Sequence, residues 1–168
     1  MILRNGVSLP LLGLGTLHQG GYSRVAELHA LELGYRLLDT ATSYGCEQRL
    51  GEAVRQSGVA REQLFLTGKV WLSDYGRDRC LAAAELSMAR LEVEYLDLLL
   101  HWPGGLQEEV AGAWLWLEEL LEQGRVRAIG VSNFQQRHLD RLLQTAREVP
   151  HIDQIEFHPY QNDRKLVH

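Results

Sequence analysis

The chain has 168 residues, 45% of them hydrophobic and 23% charged, with a formal net charge of −5. That is enough chain for a domain with a buried core, and the ordinary composition excludes intrinsic disorder and collagen-like repeats. The acidic balance argues against nucleic acid as a partner, and the longest uncharged stretch, residues 5–23, is broken by Pro10 and five glycines, which argues against a membrane span.

Ile2-Leu3-Arg4-Asn5-Gly6-Val7-Ser8-Leu9 reads as a β-hairpin over residues 2–9 turning at Asn5-Gly6, and the N-terminus lacks the apolar run of a signal peptide. From there short apolar runs alternate with segments of helical period. The runs cover residues 11–16, 36–40, 64–70, 95–101, 127–133 and 152–158, and the helical segments cover 24–33, 48–56, 77–91, 107–123 and 135–146. In the third helix Leu81, Ala84, Met88 and Leu91 share one face, with Arg79, Glu85 and Arg90 outside it. Gly34 and Gly124 follow helices, where a left-handed cap is wanted. Asn133, with Gln136 three residues on, predicts a capping pair at the start of the fifth helix. Cys46 and Cys80 lack C-x-x-C spacing and are expected as free thiols in a reducing cytosol.

Nearly continuous apolar strands alternating with helices predict an α/β fold with a parallel sheet. An open dinucleotide-binding sheet predicts G-x-G-x-x-G after the first strand, but Gly13-Leu14-Gly15-Thr16-Leu17-His18 puts a histidine at the third glycine. A (β/α)8 barrel is favoured by what ends the strands: Asp39-Thr40, Lys69, His101, Ser132-Asn133, and Gln154, Glu156 and His158. In a barrel these ends converge on one mouth. Taken singly, each is also an ordinary cap or turn former.

Lys69 sits in an apolar strand and needs a counter-charge, which Asp39 at the end of the neighbouring strand can supply. Tyr44 lies five residues after Asp39, in a loop able to fold over the mouth. There an ammonium would lower its phenol pKa toward neutrality and make it a general acid for a developing alkoxide. His101 is placed to orient the substrate oxygen. The set describes proton delivery to a carbonyl whose hydride comes from a nicotinamide, since no side chain can donate one.

The run Gly34-Tyr35-Arg36-Leu37-Leu38-Asp39-Thr40-Ala41-Thr42-Ser43-Tyr44-Gly45-Cys46-Glu47 resembles the signature of the aldo-keto reductases. So do Leu12-Gly13-Leu14-Gly15-Thr16, Lys69-Val70-Trp71, Leu99-Leu100-His101-Trp102-Pro103, Ile129-Gly130-Val131-Ser132-Asn133-Phe134 and Gln154-Ile155-Glu156-Phe157-His158-Pro159. The resemblance implies a catalytic tetrad of Asp39, Tyr44, Lys69 and His101, with Tyr44 the proton donor. It implies that Ser132, Asn133 and Gln154 hold the nicotinamide carboxamide, with Asp39, Gly15 and Thr16 also on the cofactor side. Trp71 and Trp102, with His101, become substrate contacts. It further implies an NADPH-dependent reductase of small aldehydes or ketones, cytoplasmic, with no metal, and a monomer when the fold is complete. Leu17 stands where many relatives carry an aromatic substrate contact, and Cys46 stands where asparagine is usual. Trp114 and Trp116 read as helix residues packing on the barrel, and His158 as structural, with Pro159 ending its strand.

The strand starts at residues 11 and 152 give about 28 residues per βα unit, so eight units need about 224. Residues 1–168 therefore read as a single incomplete barrel domain: the hairpin, then βα units from 11 to 168, truncated after strand six. Strands seven and eight, and the basic residues that in the family grip the cofactor phosphates, are absent from it. The alternative reading is a truncated, non-catalytic isoform or fragment with impaired cofactor binding, whose raw sheet edges favour association. From another class, a metal-dependent barrel hydrolase would use Asp39, His101, Glu156 and His158 as ligands, but it leaves Lys69 and Tyr44 without work.

Overall fold

The computed structural model describes residues 1–17, 21–100, 104, 106–162 and 166, with the backbone alone at residues 77, 98–100 and 107. Six strands, β1 (Gly13–Gly15), β2 (Leu37–Asp39), β3 (Phe65–Val70), β4 (Leu96–Leu100), β5 (Val126–Ser132) and β6 (Asp153–Gln154), alternate with five helices. The helices are α1 (Arg24–Glu32), α2 (Glu47–Ser57), α3 (Arg77–Leu91), α4 (Gln107–Glu122) and α5 (Gln136–Leu142). All five strand pairs are parallel, and the spatial order β1-β2-β3-β4-β5-β6 is the chain order. Because βα crossovers are right-handed, an order that never reverses puts every helix on the same face of the sheet. A doubly wound sheet would reverse once and cover both faces.

The other face curls inward. In a flat sheet β2 and β6, four strands apart, would lie about 19 Å from each other. Yet Gln154 Nε2 on β6 donates to Asp39 Oδ2 on β2 at 2.9 Å. The result is part of a (β/α)8 barrel, six parallel strands wrapped around an interior.

Between helices and sheet lies one apolar cluster. Leu38, Leu64, Leu66, Val70, Val126 and Val131 meet Leu50, Met88, Leu91, Trp114 and Leu117 from the helices. Phe65, Thr67 and Lys69 alternate with the cluster residues along β3 and belong to the other face, as a period of two requires. Gly51 of α2 packs directly on α3: a Cβ there would lie 2.6 Å from the Leu91 carbonyl oxygen. Only glycine lets these two helices approach so closely.

The hairpin is present as a small antiparallel bridge, Ile2 with Ser8, turning through Gly6 at φ 84°. Asn5 Nδ2 donates to the Arg127 carbonyl at 2.9 Å, so the hairpin docks at the N-terminal end of β5, opposite the mouth. Gly34 and Gly124 take left-handed conformations after α1 and α4, as expected. Cys46 and Cys80 are free, buried thiols.

Two expectations change. The sixth strand, expected over 152–158, pairs only at Asp153 and Gln154. Beyond them the chain leaves the ladder and turns on itself, His158 bridging to Gln161, so Pro159 sits inside a turn and ends no strand. Asn133 does not cap α5. It sits at φ 60°, a left-handed bend that delays the helix, and the backbone N–H of Gln135 instead donates to His138 Nδ1 at 3.0 Å. The helical start expected after residue 160 falls largely outside the described residues.

Candidate active site

The strands deliver their polar ends to one place. A cavity of about 360 Å³ is lined by Asp39, Tyr44, Lys69, Ser132, Asn133, Gln154, Ile155 and Glu156. Lys69 rides on the best-covered strand, every residue of β3 being buried, and its side chain is 3% exposed. Its ammonium donates to Asp39 Oδ1 and, at 3.3 Å, to the Thr40 carbonyl. Burial pulls the Lys69 pKa down, and the Asp39 charge and hydrogen bond oppose that pull.

Tyr44 closes a 3-10 turn, Thr42–Tyr44, that ends in left-handed Gly45. Thr42 Oγ1 donates to the Lys69 carbonyl at 3.3 Å and ties that turn to β3. The next residues start α2, where the buried Glu47 carboxylate accepts from Ser87 Oγ and lies 3.2 Å from Arg90 Nη1 on α3. The loop is thus anchored on both sides. The Lys69 ammonium lies over the Tyr44 ring face, 5.4 Å from its centroid. The expected fall in the phenol pKa does not occur: burial, then the Asp39 charge, raises it to about 12. The phenol keeps its proton at neutral pH.

The opposite wall comes from β5 and β6. Ser132 Oγ donates to the Gln154 carbonyl at 3.2 Å, and Asn133 Nδ2 donates to Ser132 Oγ at 3.2 Å. Beside the β5 ladder, further contacts hold Gln154 in place. His151 N–H donates to the Ile129 carbonyl at 2.9 Å, and the Phe134 N–H reaches Asp153 Oδ1 at 3.4 Å. Farther back, Glu118 Oε1 on α4 accepts the backbone N–H groups of Arg147 and Glu148 at 2.7 and 2.8 Å. Trp114, one turn earlier, donates its indole N–H to the Glu148 carbonyl at 3.1 Å. Nothing in the sequence singled out Glu118. Its signal is a carboxylate one turn after Trp114, on the face that Trp114 and Leu117 bury.

The remaining expected site residues are placed as follows. Gly15 ends β1 and is exposed; Thr16 is buried, with Oγ1 3.4 Å from Cys46 Sγ, and does not line the cavity. Cys46 lies between Thr16 and Thr40, 3.5 Å from the latter's hydroxyl. Trp71 is 38% exposed and lines a neighbouring cleft with Ser43, Ser73, Arg79 and Leu86. His101 and Trp102 lie outside the described residues. The alternative ligand set does not converge among the described residues: Asp39 is engaged by Lys69 and Gln154, while Glu156 and His158 pair with each other at 2.7 Å on the exposed turn. Trp114 and Trp116 both pack on the helix–sheet core.

The sequence profile of the Aldo/keto reductase family matches residues 12–168. The chain is 45% identical over 167 residues to the glyoxal reductase of Bacillus subtilis, covering 98% of this chain and 60% of that protein. It is 42% identical over 166 residues to the methylglyoxal reductase DkgA of Salmonella typhimurium, again with 98% and 60% covered. Among solved structures, an aldo/keto reductase from Brucella melitensis superposes with a TM-score of 0.94 at 38% identity, covering 99% of this chain and 66% of that one. A Bombyx mori aldo-keto reductase in complex with NADP superposes with a TM-score of 0.91 at 31% identity, covering 99% and 61%. The chain belongs to the aldo/keto reductase family. It spans about 60% of the length of the curated relatives it matches. Among the described residues, no helix is long and apolar enough to cross a membrane.

Proposed function

We propose that this chain carries the catalytic wall of an NADPH-dependent reductase of small aldehydes or ketones. The observation that carries the reading is the cavity itself, in which the buried Lys69–Asp39 pair and Tyr44 face the amides of Asn133 and Gln154. When bound, NADPH supplies the hydride. Tyr44 delivers the proton to the carbonyl oxygen, and the Asp39–Lys69 pair fixes the polar floor beside its ring. Ser132, Asn133 and Gln154 form the wall for the nicotinamide carboxamide, with Gly15 and Thr16 behind Asp39. His101, Trp102 and Trp71 are assigned to the substrate side. The relatives named as glyoxal and methylglyoxal reductases support a compact carbonyl substrate.

A second reading, impaired cofactor binding by residues 1–168 alone, is favoured by one feature. Lys69 is the only cation lining the cavity among the described residues, and Asp39 already occupies it, so nothing there grips the phosphates of a dinucleotide.

NADPH titration and turnover of a simple aromatic aldehyde separate the two. Under the first reading the nicotinamide fluorescence quenches saturably, and Tyr44→Phe lowers kcat by about 10²–10⁴ while the quench persists. Undiminished turnover by Tyr44→Phe overturns the proton-donor assignment. Absence of a saturable quench selects the second reading.

A further inference from the structure

The residue spacing in α3 sets up a second hollow, outside the candidate active site. Arg79, Ala82, Ala83, Leu86 and Arg90 fall at i, i+3, i+4, i+7 and i+11, one face of a helix, with the two cations about 16 Å apart along its axis. This face opens into a cleft of about 450 Å³, a volume in the range of small-molecule sites. The facing wall comes from two 3-10 turns: Thr42 and Ser43 from Thr42–Tyr44, and Ser73 and Asp74 from Leu72–Asp74. Tyr44 lines the cavity of the candidate active site, whereas Thr42 and Ser43 line this cleft, and the two hollows share no lining residue.

The charges along the cleft are unequal. Arg90 lies 3.2 Å from the buried Glu47 carboxylate, which takes up its charge. Arg79 differs: among the described residues, the arginines in salt bridges are Arg24, Arg55, Arg90, Arg125 and Arg147. Its side chain turns back over the start of α3, where Gly76 leaves it room; a Cβ at Gly76 would lie 3.2 Å from Arg79 Nη2. Asp74, the one carboxylate among the described lining residues, accepts from Ser73 Oγ at 3.1 Å. Between the two arginines the floor is apolar: small Ala82 and Ala83, then exposed Leu86, with exposed Trp71 on the wall. We propose that this cleft binds a small organic carboxylate, its head on the Arg79 guanidinium and its apolar body along Ala82, Ala83 and Leu86. A guanidinium meets a carboxylate through two parallel N–H···O bonds, a fit that an ammonium lacks. The small side chains let a flat body lie against the helix, and Leu86 and Trp71 then lose apolar surface to water. The proposal is independent of the nicotinamide reading.

NMR titration of the 168-residue chain with 2-naphthoate, against 2-naphthalenemethanol as its neutral counterpart, tests it without turnover. The carboxylate is expected to bind about fivefold more tightly, the scale of one partly exposed ion pair. Backbone amide shifts should move at Ser43, Ser73, Ala82 and Ala83. Arg79→Gln, at an exposed position, should bring the two probes to within about twofold of each other. Asp74→Asn should tighten the carboxylate about two- to threefold by removing a like charge from the lining. Equal binding of the two probes, or binding of neither, overturns the proposal. So does a preference that survives Arg79→Gln. Shifts confined to Asp39, Tyr44 and Asn133, or a preference lost in Tyr44→Phe and kept in Arg79→Gln, put the carboxylate in the active-site cavity and overturn it too.

Discussion

β3 and β6 each carry one half of the cavity, and they are held in opposite ways. β3 has six residues, all buried, with ladders to β2 and β4 on either side. β6 has two half-buried residues and, among the described residues, a ladder to β5 alone. Lys69 is therefore placed by the sheet, whereas Gln154 is placed by side chains that reach in from elsewhere: Ser132, Asp153, His151 and the Glu118–Trp114 clamp. The Lys69 side is built into the cooperative body of the fold. The Gln154 side is held to it by a few polar contacts, and such regions open at lower free energy than the core.

The largest effect that tests this contrast is expected on the sheet side. Leu66→Ala removes a side chain that is 1% exposed and should cost about 3 kcal/mol in a single denaturant transition that β3 and β6 share. A loss well below about 1 kcal/mol would show that β3 is not part of the cooperative body of the fold. Next comes Glu118→Ala, which leaves two backbone N–H groups without their acceptor. It should lower local stability at residues 147–154 by about 2 kcal/mol, or roughly 30-fold faster amide exchange, with β3 amides unchanged. Equal acceleration in β3 would show that β6 is no weaker than the sheet.

The smallest effect concerns Asp97 on β4, which is 2% exposed and, among the described residues, has no hydrogen-bond partner for either carboxylate oxygen. Burial raises its pKa to about 7 against the pull of Arg127 and Arg61. A carboxyl whose folded pKa lies above its unfolded value binds more protons when folded. Its contribution to stability is present below about pH 4 and is lost as pH rises through 7. Wild type should thus lose on the order of 1–3 kcal/mol relative to Asp97→Asn between pH 4 and 8, read from urea midpoints. A flat difference would show that the middle of the sheet carries no such cost.

Much of this architecture was legible in local pattern. Apolar runs bounded by helical segments predicted six parallel strands, and an isolated lysine in one run, with an aspartate ending the next strand, predicted the Lys69–Asp39 pair. What escaped was whatever depends on curvature or on charge balance. Gln154 could be assigned to the mouth, but its bond to Asp39, 115 residues away, exists only because the sheet wraps. The length of β6 was overread because residues 155–158 keep an apolar alternation while having no ladder partner. The Tyr44 phenol was expected near neutrality because the Lys69 ammonium was weighed without the burial that raises the pKa most. Asn133 looked like a cap because left-handed bends and N-caps draw on the same residue types.

The unreversed strand order also bears on how the chain folds. Each ladder joins segments roughly 20–30 residues apart, so every new βα unit docks on the one made just before it, and loop closure stays cheap at each step. Such a chain suits assembly from its N-terminus during synthesis. The Asp39–Gln154 bond stands outside that sequence of short closures. It forms only after β6 has docked and the sheet has wrapped, and so reports the wrapping itself.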